Sequence, residues 1–205
     1  MTRLLAIVSL LIALFVTFNM KAEAQDVPQD IVFEVFRNDQ PFGQHSVSFE
    51  QDGETLRART EIELKVKVGP FTVFRYEHEA NETWQDGALV ALSAETLKDG
   101  EITRFDYDRN REDIARMMDQ LLPSTHWRFY DLSTSEILNT ETGEALDVTL
   151  TDLGWETIQT GAGEVEARRV RMVGNLTVDL WYDAAGNWVG CLFEARGQTV
   201  RYQRV

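Results

Sequence analysis

From Gln25 onward, apolar and polar residues alternate with a period of two, the pattern of strands with one dry and one wet face. The clearest stretch is Leu56–Val68. There Leu56, Ala58, Thr60, Ile62, Leu64, Val66 and Val68 alternate with Arg57, Arg59, Glu61, Glu63, Lys65 and Lys67. At ~3.3 Å per residue this strand runs roughly 40 Å, long enough that its sheet is expected to curl. The run Phe71 to Trp84 follows the turn Gly69-Pro70 and is expected to pair back antiparallel. A strict two-residue loop sets Leu64 opposite Arg75 and Ile62 opposite Glu77, mixing wet and dry residues on one face. Shifting by one residue sets Leu64 opposite Phe74, Ile62 opposite Tyr76 and Thr60 opposite His78. Glu63 then faces Arg75 and Arg59 faces Glu79 on the wet side. The pattern therefore predicts a three-residue connection or a bulge near Val73 to Arg75, with Tyr76 and His78 pointing inward.

Further strands are expected at Ile31 to Arg37, Gly43 to Glu50, Ala88 to Leu97, Ile102 to Tyr107, Ala145 to Leu153, Val165 to Met172, Leu176 to Tyr182, Trp188 to Ala195 and Thr199 to Arg204. Asp-Gly, Gly-Pro and Gly-Asn pairs punctuate them. In the run from Val165 the apolar parity changes between Ala167 and Val170, which predicts a second bulge at Arg168 and Arg169. One segment keeps a helical period instead: Ile114, Met117, Met118, Leu121 and Leu122, with Asn110 as cap and Pro123 as stop. A second short turn is expected from Ser124 or Thr125 through His126, Trp127 and Tyr130. The expected fold is mainly β: a single antiparallel curled sheet, an open or half barrel, with one or two short helices as a plug. No internal repeat or linker divides the chain, so residues 25–205 read as one domain.

Residues 1–24 read as a secretory signal. Arg3 gives the positive start, Leu4 to Val16 the apolar core, and Ala22-Glu23-Ala24 a small-x-small cleavage site. The apolar stretch is short of the ~20 residues that a spanning helix needs, so no transmembrane anchor is expected after cleavage behind Ala24. The chain is therefore expected to be exported. Over the 205 residues the formal charge is −14, and loss of Arg3, Lys21 and Glu23 makes the exported chain slightly more acidic still. With no lysine or arginine cluster to neutralise phosphates, nucleic acid is not expected as a partner. The single cysteine, Cys191, has no internal disulfide partner. Its alternation with Val189 and Phe193 places it on an apolar strand face.

Constellations that carry chemistry are thin. His78-Glu79-Ala80-Asn81-Glu82 superficially suggests a zinc-protease motif, but on a strand His78 and Glu82 sit roughly 13 Å apart and cannot share an ion. Three histidines and one cysteine make a poor zinc set. Asp106 to Asn110 starts like a calcium loop, yet Arg111 stands at the glycine position and Met117 at the bidentate acid position. There is no Gly-x-Ser-x-Gly elbow and no phosphate loop with its lysine. No catalytic residue, metal site or cofactor is expected. The candidate ligand-binding residues are Tyr76, His78 and Trp84 on one strand face, and His126 and Trp127 on the turn after Pro123.

Four segments taken together resemble a known family: Phe71-Thr-Val-Phe-Arg-Tyr76, Glu82-Thr-Trp-Gln-Asp-Gly87, Pro123-Ser-Thr-His-Trp127 and Leu180-Trp-Tyr-Asp183. The succession is similar to exported proteobacterial proteins of a domain-of-unknown-function family, and more distantly to the open β half-barrels of periplasmic lipoprotein carriers. The resemblance implies a periplasmic antiparallel sheet curled around a helical plug. It brings no catalytic or ligand residues. The function expected on these grounds is a non-enzymatic binding or carrier module for an apolar or amphipathic molecule, a lipid being one example. The alternative is an envelope protein–protein interaction module with a filled core and an acidic face. An enzyme of undetermined class comes third.

Overall fold

Alternation on this scale builds one large antiparallel sheet. The computed structural model describes residues 27–110 and 121–205. Its strands are β1 (Ile31–Arg37), β2 (Gln40–Asp52), β3 (Thr55–Val68), β4 (Phe71–Gln85), β5 (Ala88–Lys98), β6 (Glu101–Asp108), β7 (Leu122–Pro123), β8 (Glu136–Leu138), β9 (Ala145–Asp147), β10 (Thr149–Thr160), β11 (Gly163–Val173), β12 (Thr177–Tyr182), β13 (Trp188–Ala195) and β14 (Gln198–Arg204). Eleven of these pair in the order β10-β11-β12-β13-β14-β1-β2-β3-β4-β5-β6. Every neighbour in that sheet is antiparallel, and β10 and β6 remain as edges, so the sheet does not close into a barrel.

The inner face carries the core. Phe33, Val35, Val47, Ala58, Leu92, Val170, Leu180 and Tyr182 are all buried to within a few per cent on it. Phe33 packs at a tilt against Trp188 with ring centroids 4.4 Å apart and lies 5.8 Å from Tyr202, which ties β1 to β13 and β14. Each such aromatic removes roughly 150–250 Å² from water and dominates the local energetics. Gly43 lets β2 come close to β3: a Cβ there would sit 1.8 Å from the carbonyl oxygen of Glu63.

The β3–β4 hairpin corrects the expected register. The turn is the tight Gly69-Pro70 connection, with Val68 opposite Phe71 and Lys67 opposite Thr72; Val73 is then the extra residue before Phe74 pairs with Val66. The bulge falls where the pattern placed it, but it adds a residue to β4. Leu64 therefore meets Tyr76, Ile62 meets His78 and Thr60 meets Ala80, two positions from the expected partners. A slip of two preserves the faces, so Tyr76 and His78 still point inward.

The expected bulge at Arg168 and Arg169 is not on β11. That strand pairs continuously with β12, Arg168 opposite Tyr182 and Val170 opposite Leu180. The irregularity lies on the partner strand, between Asp152 and Gly154. The parity change has another cause: both faces are buried here. The β10–β11 hairpin runs past the end of β12 and folds over the outer face, where the Gly161 N–H donates to the Arg204 carbonyl at 2.6 Å. Ala167, Trp181 and Val189 form a second small core beneath it, with Ile158, Val165 and Leu192 around them. Val189 thus lies on the opposite face from Cys191 and Phe193, because the β12–β13 register shifts between Trp181 and Tyr182.

No helix plugs the inner face among the described residues. Most of the stretch expected to be helical, 114–122, lies outside them, and its end, Leu122–Pro123, is strand β7. The expected turn at Ser124 to Tyr130 is irregular, because the Ser124 and Thr125 hydroxyls are spent on Thr140 and Glu82 and His126 takes a left-handed φ of 62°. The plug is instead residues 121–148, braced by a small sheet in which β8 pairs with β7 and β9.

Candidate functional site

The plug is fastened to the sheet by three polar anchors. The first is Glu82, on the inner face of β4 and 1% exposed. Its carboxylate accepts from the Trp84 indole at 2.8 Å, the Thr125 hydroxyl at 2.7 Å, and the Trp127 indole at 3.2 and 3.1 Å to its two oxygens. Burial raises its pKa to about 7; the hydrogen bonds and the positive charge of Arg128 offset only part of that. Arg128 itself lies 4.4 Å over the Trp84 ring and donates to the Gly87 carbonyl at 3.0 Å. The arrangement closes the plug on β4 and leaves the two tryptophans edge to face, centroids 5.8 Å apart.

The second anchor is His78. Its Nδ1 shares a 2.7 Å hydrogen bond with the Thr96 hydroxyl of β5, and its Nε2 a 3.1 Å bond with the Thr140 hydroxyl of the plug. Desolvation holds it below the ordinary histidine pKa, against the pull of Glu141 and Glu79. The third is Tyr76, whose hydroxyl donates to Glu141 at 2.7 Å while Lys98 reaches the same carboxylate at 3.3 Å. On the far side, the Tyr182 hydroxyl of β12 donates to the His126 carbonyl at 3.0 Å, and His126 Nδ1 shares a 2.9 Å bond with the Tyr130 hydroxyl. These bonds hold His126 in a backbone conformation that costs a non-glycine residue about 1 kcal/mol.

Between these anchors lies a cavity of about 210 Å³. Its polar lining includes His45, Thr60, Tyr76, His78, His126 and Glu141; Trp188, Tyr202, Phe193, Val178 and Leu176 form much of its apolar wall. All three histidines of the chain therefore line one cavity. Burial lowers His45 to a pKa of about 3, with the other two histidines adding to the shift, and lowers His126 to about 4, so both imidazoles are neutral at neutral pH. Cys191 also lines it, and burial pushes its thiol well above the ordinary range. Among the described residues no group of three or more histidine, cysteine or acidic side chains is placed to hold a metal ion.

Two members of the lining have unmet hydrogen-bonding capacity. Both ring nitrogens of His45 and the hydroxyl of Thr60 are buried without a hydrogen-bond partner among the described residues. His45 is ringed by aromatic edges and faces instead: Trp188 at 5.1 Å, Tyr202 at 5.5 Å and Phe33 at 6.2 Å. An orphaned buried polar group costs roughly 1–3 kcal/mol, and such groups are rare enough in folded proteins to call for a cause.

Of the five residues singled out from sequence, the structure brings Tyr76, His78 and His126 to the cavity. It sets Trp84 and Trp127 beside it, around Glu82. Sequence reasoning missed His45, Thr60, Glu82 and Glu141. The parity signal was available for the first three: His45 alternates with Val47 and Phe49, Thr60 with Ala58 and Ile62, and Glu82 with Ala80 and Trp84. Glu141 lies in the plug, where no period points to it. A larger depression of about 530 Å³ lies along the β3–β6 region, and its lining includes the carboxylates Glu61, Glu63, Glu77, Glu79, Glu95 and Asp106. Most of these are ion-paired, Glu61 and Glu79 with Arg59, Glu63 and Glu77 with Lys65, and Glu95 with Arg104.

A family defined as a domain of unknown function, DUF6134, matches residues 33–205. The chain belongs to the DUF6134 family. Among solved structures, this DUF6134 chain is similar to a β-barrel-like protein of the domain of unknown function DUF1849 from Brucella abortus. The two share 10% sequence identity with a TM-score of 0.50, over 87% of this chain and 96% of that one. At that identity the likeness concerns the fold alone. No curated protein matches the DUF6134 chain significantly. No helix among the described residues is long and apolar enough to cross a membrane.

Proposed function

We propose that this DUF6134 protein is a non-enzymatic binding module that holds a small amphipathic molecule between its concave sheet and its plug. One observation carries the reading: the chain's three histidines converge on a single cavity in which His45 and Thr60 have no hydrogen-bond partner among the described residues. A cavity of ~150 Å³ takes up benzene, and drug-sized ligands occupy ~300–1,000 Å³. At about 210 Å³ the DUF6134 cavity suits one ring or a short chain rather than a whole lipid. Neutral histidines and a thiol held protonated supply hydrogen bonds rather than an activated nucleophile, which favours binding over catalysis. The same reading takes residues 1–24 as an export signal and the periplasm as the place where ligand is met.

A second reading rests on the carboxylates of the outer strands: an acidic face offered to a basic envelope protein. Its weakness is that Arg59, Lys65 and Arg104 already engage five of these carboxylates in ion pairs.

The test is native mass spectrometry of protein produced from the full chain and purified gently from the periplasm, with organic extraction of the same sample. A stoichiometric adduct of small mass, released into the organic phase, supports the binding module. A bare polypeptide that instead captures a basic partner in a salt-sensitive manner supports the second reading and counts against the first.

A further inference from the structure

His45 and Thr60 sit at diagonal positions of the inner face, since β2 and β3 pair Val47 with Thr60 and His45 with Ile62. Diagonal neighbours on adjacent strands lie ~7–8 Å apart at the backbone, within reach of one shared polar atom once both side chains lean toward it. Around this pair the wall is aromatic. Trp188 and Tyr202 touch the imidazole at 5.1 and 5.5 Å, and Phe193 lies beyond Tyr202 at 6.2 Å. His45 is 3% exposed and Thr60 fully buried. Among the described residues, no carboxylate or cation bonds to either side chain.

Resting on the binding-module reading, we infer that the cavity accepts a neutral single-ring molecule bearing a hydroxyl, which bridges the His45 imidazole and the Thr60 hydroxyl while the ring lies among Trp188, Tyr202 and Phe193. The argument is one of complementarity. A neutral imidazole offers one donor and one acceptor, and a threonine hydroxyl offers both. A ligand hydroxyl is donor and acceptor at once and so satisfies a group on either side. A carboxylate accepts only, and it brings a buried charge with no counter-charge on the cavity floor. An ammonium fails for the converse reason. A purely apolar ring fills the volume but leaves both polar groups unmet, as they are in the free protein.

The experiment is a calorimetric titration of the protein, produced from the full chain, with p-cresol and with p-xylene, near-isosteres that differ in the hydroxyl. Ring-nitrogen resonances of ¹⁵N-labelled histidine are followed in parallel. The inference predicts p-cresol binding at least about tenfold tighter than p-xylene, a step typical of a hydrogen bond made at a site otherwise left unpaired. The His45 nitrogens shift with p-cresol and not with p-xylene. Thr60→Val and His45→Phe each erase the preference, and Thr60→Ser, which restores the hydroxyl, retains it. Thr60→Val guards against a His45 variant that fails to fold.

Equal or tighter binding of p-xylene overturns the hydroxyl inference and leaves the binding module standing. So does a preference that survives both variants, or an ordered water that keeps the His45–Thr60 site while p-xylene alone binds. If neither compound binds, and no other single-ring compound does, the cavity reading itself falls with it.

Discussion

Replacing Glu82 by glutamine isolates the cost of burying one charge beneath the plug. The glutamine keeps the shape: its oxygen accepts from the Trp84 and Trp127 indoles, and its amide donates to the Thr125 hydroxyl, which turns to accept. What changes is the titration. The folded carboxyl has a pKa of about 7 against an ordinary 4.5, because burial disfavours the anion. The folded state therefore holds this proton more tightly than the unfolded chain does. The contribution to stability is full below pH 4.5 and is lost as pH rises through 4.5 toward 7 and beyond. Between pH 5 and pH 8 the loss amounts to about 2.5 kcal/mol for the wild type and nothing for the glutamine variant. His45, His78 and His126 also titrate on unfolding, but they do so in both proteins and cancel in the difference. Urea denaturation followed by tryptophan fluorescence at the two pH values reads that difference directly, provided the m-values agree. The variant gains about 2.5 kcal/mol on the wild type in moving from pH 5 to pH 8. A stability difference that does not change with pH refutes the argument: Glu82 would then ionise like an exposed carboxyl, and its role as a dry anchor would be wrong.

Three further outcomes follow from the same structure. His45 and His126 have folded pKa values near 3 and 4, so the unfolded chain takes up protons that the folded one refuses; stability is full above pH 6.5 and falls as pH drops below it. His45→Phe removes one such group, and urea titrations should show this variant losing about 2 kcal/mol less than wild type between pH 7.5 and pH 5. Phe33→Ala, which empties the fully buried ring position against Trp188, is expected to cost about 3–5 kcal/mol by urea or thermal denaturation. Gly43→Ala drives a methyl to 1.8 Å from the Glu63 carbonyl oxygen and should cost more than about 2 kcal/mol, whereas Gly53→Ala, with open space around it, should cost about 1 kcal/mol, the left-handed backbone penalty alone.

The sheet was largely legible because Leu56–Val68 and its neighbours alternate without interruption, and alternation fixes faces even where it misjudges register. The β3–β4 pair shows the limit. Sequence placed the bulge near Val73, but only the backbone decides whether a bulge adds to or subtracts from the offset, and the pairs moved by two. Arg168 and Arg169 show another: a parity change signals a bulge or a second buried face, and here the β10–β11 hairpin folding over Trp181 made it the latter. The plug was illegible for a different reason. Thr125 and Thr140 look like turn residues, and their partners, Glu82 and His78, are more than forty residues away. Tyr76, His78 and His126 could be named because aromatic and imidazole side chains on an apolar face are conspicuous. Trp84 and Trp127 were conspicuous in the same way, yet they serve Glu82 rather than the cavity. His45 was passed over although its parity with Val47 and Phe49 put it on the same face.

The account turns on whether the space between sheet and plug takes up small molecules, and the Trp188 indole, 1% exposed and part of the cavity wall, is the natural reporter. Its ¹⁵N–¹H resonance would be followed while single-ring compounds, with and without a hydroxyl, are added to the protein. The account predicts a saturable shift of the Trp188 signal, with the Trp181 indole, which bonds to Glu156 on the outer face, unmoved. A Trp188 resonance that stays fixed across the whole panel, or one that moves only in step with Trp181, contradicts it.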